Sequence, residues 1–514
     1  MKNIHLIYIS LLSGLLLLNS GCKDLNTVNL NDPDRTAVLS TGGDLITALE
    51  GGYVNWWQGT HGDHPAVALS VAADAYGMSW ADFGAQRLGM EPRTAYNNRS
   101  TEENDYRQVV QAPWFGCLSA AATANDIFEA LDRGVSIDNN GPQDQGIRAS
   151  AHFLRGLSWG YLGLIFDRGL LVEANTDLEQ QLSFTDYQDM IIAAVTELET
   201  AIQLVQPLGE DFVHTYFNGL RLDAAAFIQL NHAYAARFLT QWPRTPDENQ
   251  QVDWQAVLDH ARKGIDFDFA PIANGDAWQS YHKWVYAETG QGPFWARVDQ
   301  RLIAAMDNQQ PSRYPEVIAK GEAPLKSPEA TSNDQRLQTD FTYFPKNNFP
   351  ADRGEWHYSH YKHSRNELDP DFAGDGSSFG PMPAFRQADN ELLLIEAQLE
   401  LGKTSEAISA LNAGTRKTRG QLPNLSAQSG TEAVRRAILY ERAIELLGTA
   451  PMSLWFDRRR MASREHYQEV TPLGGLQIGT PAQLPVPAEE LRIQGEVPYN
   501  FGGADDPDGV IPQR

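Results

Sequence analysis

Cysteine is nearly missing from this chain: among 514 residues only Cys22 and Cys117 carry a thiol. Two thiols allow one disulfide at most, so no cross-linked framework holds the fold and stability has to come from a buried core. Hydrophobic residues form 42% of the composition, which is enough for that core. Positive charge is short as well, since 41 Lys and Arg stand against 66 Asp and Glu for a net charge of -25. That balance argues against nucleic acid, whose phosphates select basic surfaces, and against charge-driven adhesion to anionic lipid. After the N-terminus no apolar run approaches the ~20 residues that cross a bilayer. Catalytic signatures are wanting too. There is no GxSxG elbow and no HExxH pair, and the Gly402, Lys403, Thr404 triplet has Ala397 where a phosphate loop needs glycine.

What is present starts at Lys2, which precedes an apolar stretch from Ile4 to Leu18 and then Asn19, Ser20, Gly21 and Cys22. A positive start, an apolar run of about 15 residues and small residues before a cleavage point describe a secretory signal over residues 1–21. Cys22 stands where a bacterial lipoprotein carries its lipid-accepting cysteine, although Asn19 replaces the usual apolar residue. The expectation is an exported chain held to the membrane by acyl chains alone, with Cys117 left unpaired. Lys23 and Asp24 resemble a short acidic tag for the outer face of the outer membrane.

Between about 110 and 270 the pattern is that of successive amphipathic helices. In Asp186 to Val205, Tyr187, Ile191, Ala194, Leu198, Ala201 and Val205 fall on one helical face, with Thr185 and Gln188 as a capping box. Gly219 to Gln241 carries a stripe of Leu220, Ala224, Phe227, Leu230, Tyr234 and Phe238. Further helices are expected at Trp114 to Leu131, Ile147 to Phe166 and Trp254 to Ile265, and later at Phe385 to Leu401, Ser405 to Leu411 and Thr431 to Leu447. Such pairs with short polar turns build tetratricopeptide-like scaffolds, though no strict repeat is visible. From about 271 to 383 periodicity disappears and Pro, Gly, Asn and Asp rise, so a long loop-rich excursion interrupts the scaffold, which resumes over about 384–450.

Four blocks in the C-terminal third, in order, resemble the SusD/RagB family of nutrient-uptake lipoproteins. They are RQADNELLLIEAQLELGK from Arg386, LNAGTRKTRG from Leu411, AILYERAIELLG from Ala437 with WFDRRRM from Trp455, and LPVPAEEL from Leu484. WFGCLSAAATAND from Trp114 and AHFLRGLSWGYLGLIFD from Ala151 are similar to the family's N-terminal helices, while Thr449 to Pro451 stand where it usually has Glu-Gly-Arg. The resemblance implies a mostly α, tetratricopeptide-like helical scaffold with irregular loops, one domain over residues 22–514 and no cofactor. It also implies a surface lipoprotein that captures a glycan and delivers it to a SusC-like TonB-dependent transporter, without catalysis.

Candidate residues follow from the chemistry of sugars, whose C–H faces stack on flat rings while hydroxyls meet Asn, Asp, Gln and Arg. Trp80, Asp82 and Arg87 lie in one Gly-rich polar segment; Trp278, Tyr281, Trp284 and Trp295 open the excursion, and Trp356 and Tyr358 lie in its later part. By resemblance the ligand site lies near the Trp80 loop and the excursion; Trp56 and Trp57 are held in reserve. Glu441, Glu445, Asp457, Arg458 and Arg459 read as structural ion pairs. His357, His360 and His363 with Glu355, and His61 and His64 with Asp63, lack zinc-site spacing and read as exposed loop residues. Asp369, Asp371 and Asp375 fail as a calcium loop because Ala373 and Gly380 occupy ligand positions. No metal is expected. The competing functions are a glycoside hydrolase, which needs two carboxylates about 5 to 10 Å apart, and a transporter lid, either purely structural without ligand affinity of its own or serving peptides or other nutrients.

Overall fold

The computed structural model describes residues 39–78, 82–176, 181–286, 296–314, 328–345, 358–366 and 380–514. Cys22, Trp80, Trp295, Trp356, Glu355, His357 and the three aspartates Asp369, Asp371 and Asp375 lie outside the described residues.

Helix dominates. The principal helices are α1 (Gly42–Thr60), α2 (Ala66–Ala72), α3 (Asn104–Asp132), α4 (Pro142–Ile165), α5 (Tyr187–Val205), α6 (Ala224–Gln241), α7 (Trp254–Ala261), α8 (Gln387–Glu400), α9 (Thr404–Ala413), α10 (Thr431–Ile444) and α11 (Ser453–Met461). Packing runs from α1 to α3, α4, α5, α6, α7 and α8 in turn, and α9 and α10 both lean on α8. Each helix thus buries its apolar stripe against its neighbours, the arrangement that helical-pair scaffolds use. α4 sits in the middle and is buried along nearly its whole length. Gly160 makes this possible, because a Cβ there would lie 2.2 Å from Phe238 on α6.

Local signals set several ends. Thr41 and Asp44 form a reciprocal capping box on α1, and the Asp223 side chain accepts from the Ala226 amide to start α6. Two expectations are corrected here. Thr185 does not cap α5; it pairs with Gly169 in a short ribbon, and Asp186 at the cap position makes no side-chain hydrogen bond. The stretch from Gly219 does not join α6, because Leu222 and Asp223 pair with His214 and Val213 before the helix begins.

The excursion leaves and returns through one ribbon, with Ala273 opposite Gly380 and Ile272 opposite Pro381. Other ribbons are non-local as well: Tyr76 pairs with Val298, and Phe341 with His363. Around them lies a second apolar core built from α2 and the strand after it, from Tyr281, Val298, Leu302, Ile303 and Phe341, and from Ile444 and Leu447. The excursion is therefore packed onto the N-terminal segment and the end of α10.

Candidate functional site

The end of α1 gathers the start of the excursion onto itself. The Trp57 indole donates to the Gln279 carbonyl at 2.6 Å and stacks on His61 with 4.4 Å between ring centres. The Tyr281 amide donates to the His61 carbonyl at 2.9 Å. Next to this clamp the Trp284 indole donates to Asp63 Oδ1 at 2.7 Å, and its ring packs 4.7 Å from that of Phe83. The His64 ring lies 5.3 Å from that of Phe83 and reaches Asp105 Oδ1 at 3.2 Å. The Phe83 amide also donates to Asp105. Burial pushes the Asp105 carboxyl up, but the His64 bond and charge and the Phe83 amide outweigh it and hold it below the usual range.

Phe83 has φ +58°, a left-handed conformation that costs a bulky residue energy and persists only where surroundings impose it. Here Asp105 and the rings of His64 and Trp284 impose it. The result is a half-buried aromatic corner where the residues that follow Trp80 meet the first turn of the excursion. Asp82, beside it, is exposed and its carboxylate makes no hydrogen bond or ion pair among the described residues. Arg87 is engaged elsewhere, pairing with Glu102 at 2.6 Å over the Tyr106 ring.

Of the other proposed aromatics, Trp278, Tyr281 and Tyr358 are 6%, 2% and 1% exposed and serve the apolar cores instead of a free surface. Their polar neighbours build the turns: Asn274 Oδ1 accepts from the amides of Asp276 and Trp278, each at 3.1 Å. Trp56 and Trp57 are core residues of α1. The histidines are corrected likewise, for His61, His360 and His363 are buried rather than exposed. Among the described residues no group of His, Cys, Asp or Glu could hold a metal ion.

The charged residues of the C-terminal third form two buried networks. Arg336, from the excursion, donates to both oxygens of Glu441 at 2.7 and 2.9 Å, to Glu445 at 3.1 Å and to Asp334 at 2.8 Å. Arg419 and Arg365 also pair with Glu445, at 2.7 and 2.9 Å. In the second network Asp457 meets Arg460 at 2.8 Å, and Glu396 meets Arg442 and Arg460 at 2.8 and 2.6 Å. Burial alone would raise the Glu396 carboxyl; the two arginines bring it down to about 2. Arg458 lies 3.8 Å from Asp74. Arg459 makes no ion pair among the described residues, contrary to expectation. Its guanidinium donates to the carbonyls of Leu164, Gln241, Pro243 and Ala482 at 2.8 to 3.0 Å and lies against Trp455, joining the ends of α4 and α6 to the terminal segment. Sequence reasoning missed Phe83, Asp105 and Arg336, whose roles depend on partners far away in the chain.

Residues 267–479 match the SusD family. That segment of the chain is similar to the SusD family. Solved structures agree at the level of fold. A SusD homolog from Bacteroides thetaiotaomicron is 15% identical with a TM-score of 0.61, covering 89% of this chain and 97% of its own. A SusD superfamily protein from Parabacteroides distasonis gives 13% and 0.60, covering 89% and 98%. A SusD-like carbohydrate binding protein from Bacteroides fragilis gives 13% and 0.55, covering 82% and 86%. No curated protein sequence matches. The matched segment runs from the end of α7 into the terminal segment, so it includes the excursion and both charged networks.

Proposed function

We propose that this chain is a SusD/RagB-type protein that captures a glycan at the outer surface of the outer membrane and passes it, without catalysis, to a SusC-like TonB-dependent transporter. The observation that carries the reading is the Trp284–Phe83 contact, which joins the Trp80 segment to the excursion in an aromatic corner with the free carboxylate of Asp82 beside it. Rings bordered by polar groups suit the C–H faces and hydroxyls of a sugar. Two of the similar structures, from Bacteroides fragilis and Bacteroides vulgatus, are of SusD-like carbohydrate binding proteins. In this reading Trp80, Trp295 and Trp356 are further ligand-binding residues, and acylated Cys22 is the only membrane attachment. No helix among the described residues is long and apolar enough to cross a membrane.

Titration of the mature protein with a panel of soluble polysaccharides, followed by a reducing-end assay, tests the proposal. Binding without release of new reducing ends is expected. Released ends would make it a glycoside hydrolase, and binding of peptides alone would make it a peptide-serving lid.

A further inference from the structure

A second cleft opens beside α1. It holds about 530 Å³ between the middle of α1 and the 213–223 hairpin, and Glu50, Thr215, Tyr216, Asn218, Arg221 and Trp278 line it. That volume is within the range of small-ligand sites. Glu50 sits ten residues, roughly 15 Å of helix, before the end of α1, whereas Trp284 is held by Asp63, beyond that end.

The cleft has a rigid ring and unsatisfied polar groups of complementary kinds. The Tyr216 ring lies parallel to that of Tyr53, at 3° and 6.0 Å. Tyr53 is itself fully buried and anchored by its hydroxyl to the Ser150 carbonyl at 2.8 Å, so the platform under Tyr216 cannot shift easily. Burial and the Glu50 charge push the Tyr216 hydroxyl up to about 12, which keeps it a neutral donor. The hydroxyl makes no hydrogen bond among the described residues. Glu50 and Arg221 are exposed and make no ion pair among the described residues. Asn218, another lining residue, donates through Nδ2 to the Ile272 carbonyl at 2.6 Å, which leaves its Oδ1 as an acceptor without a partner among the described residues. The turn that presents Asn218 is fixed by Gly219, whose φ is +74° and whose Cβ, if it had one, would sit 2.2 Å from Ile272.

We infer that this cleft is a second saccharide subsite, in which a neutral sugar residue stacks on Tyr216 and hydrogen-bonds Glu50, Asn218 and Arg221. Glu50 and Arg221 together leave the lining without net charge, which favours a neutral ligand, and the four polar groups disfavour a wholly apolar one. The inference rests on the glycan-binding reading. With one subsite beside α1 and another past its end, a polysaccharide chain gains avidity that one corner cannot supply.

Native affinity electrophoresis of the mature protein tests this, with amylopectin, dextran, arabinoxylan, galactomannan and inulin cast separately in the gel. With whichever polymer retards the wild type, Tyr216→Ala and Arg221→Ala are expected to weaken retention about fivefold or more, as is Trp284→Ala. The Tyr216→Ala, Trp284→Ala double variant should migrate as in a blank gel. Because Tyr216 packs on Tyr53, Arg221→Ala and Glu50→Gln carry the decision if Tyr216→Ala melts early. Wild-type retention by both of these exposed-residue variants, with loss in Trp284→Ala, overturns the second subsite and leaves the glycan reading standing. Wild-type protein that no polymer retards overturns both.

Discussion

Arg336 and Glu441 form a two-pronged ion pair although 105 positions separate them, and both side chains are at most 1% exposed. Arg336 comes from the excursion and Glu441 from α10, so this pair fastens the irregular segment to the scaffold. Removing one member of a buried pair leaves an uncompensated charge in a poorly polarisable interior, at a typical cost of about 3–5 kcal/mol. Arg336→Ala should cost at least as much as Glu441→Ala, since it strands Glu441, Asp334 and part of the demand of Glu445. Urea denaturation checks this; a loss below about 1 kcal/mol for both variants would contradict it.

The Trp284 corner predicts a separation of binding from stability. Trp284→Ala should weaken glycan binding at least tenfold, equivalent to about 1.4 kcal/mol, while the melting temperature changes little. Trp80→Ala and Trp356→Ala, outside the described residues, are expected to behave in the same way. Trp57→Ala should do the reverse, because a tryptophan 1% exposed in the core typically costs about 3–5 kcal/mol of stability when truncated. Calorimetric titration and thermal melting on the same preparations distinguish the two signatures.

The anchor is tested by Cys22→Ala. If acyl chains on that residue are the only attachment, the variant should partition into the soluble fraction in cells without the partner transporter. Continued membrane association in those cells would refute lipid anchoring.

How much of this was legible follows from which interactions are local. The α5 stripe of Ile191, Ala194, Leu198, Ala201 and Val205 is buried as its spacing foretold, since one face of that helix meets solvent. α1 left no such trace: Gly51 and Gly52 interrupt it, and Trp56 and Trp57 read as spare ligand residues when in fact they fill the core. The rule that binding aromatics sit among polar residues did not foresee the burial of Trp278, because Asn274 there accepts from the amides of the turn itself. Glu441 could be read as a paired acid from its place on the apolar side of α10, but its partner could not be named. Arg336 reaches it only through a tertiary arrangement that includes ribbons such as Tyr76 with Val298, for which neighbouring residues carry no signal.

The buried histidines predict how stability depends on pH. His214 is fully enclosed, with the rings of Tyr53, Phe217 and Phe227 at 5.1, 4.9 and 5.2 Å, and neither ring nitrogen has a hydrogen-bond partner among the described residues. Burial therefore lowers its pKa to about 3, and that of His282 to about 4. An unfolded histidine titrates near 6.5, so between that value and the folded one the unfolded state binds more protons. The neutral histidine's contribution is thus complete above about pH 6.5 and is lost as pH falls, by up to about 1.4 kcal/mol per pH unit for each such residue. Paired carboxylates such as Glu396, held at about 2, add their own loss as pH falls through the ordinary carboxylate range and below it. The interval from about pH 6 to 5 consequently reports mainly on histidine. His214→Phe should flatten the stability slope there by about one proton, and it orphans no partner because His214 has none. His282→Phe offers the contrast, for it also removes the contact of Nε2 with the Gly448 carbonyl and should cost stability at every pH. Urea titrations at half-unit intervals measure both slopes; an unchanged slope in His214→Phe would mean that this ring is not kept neutral by its surroundings.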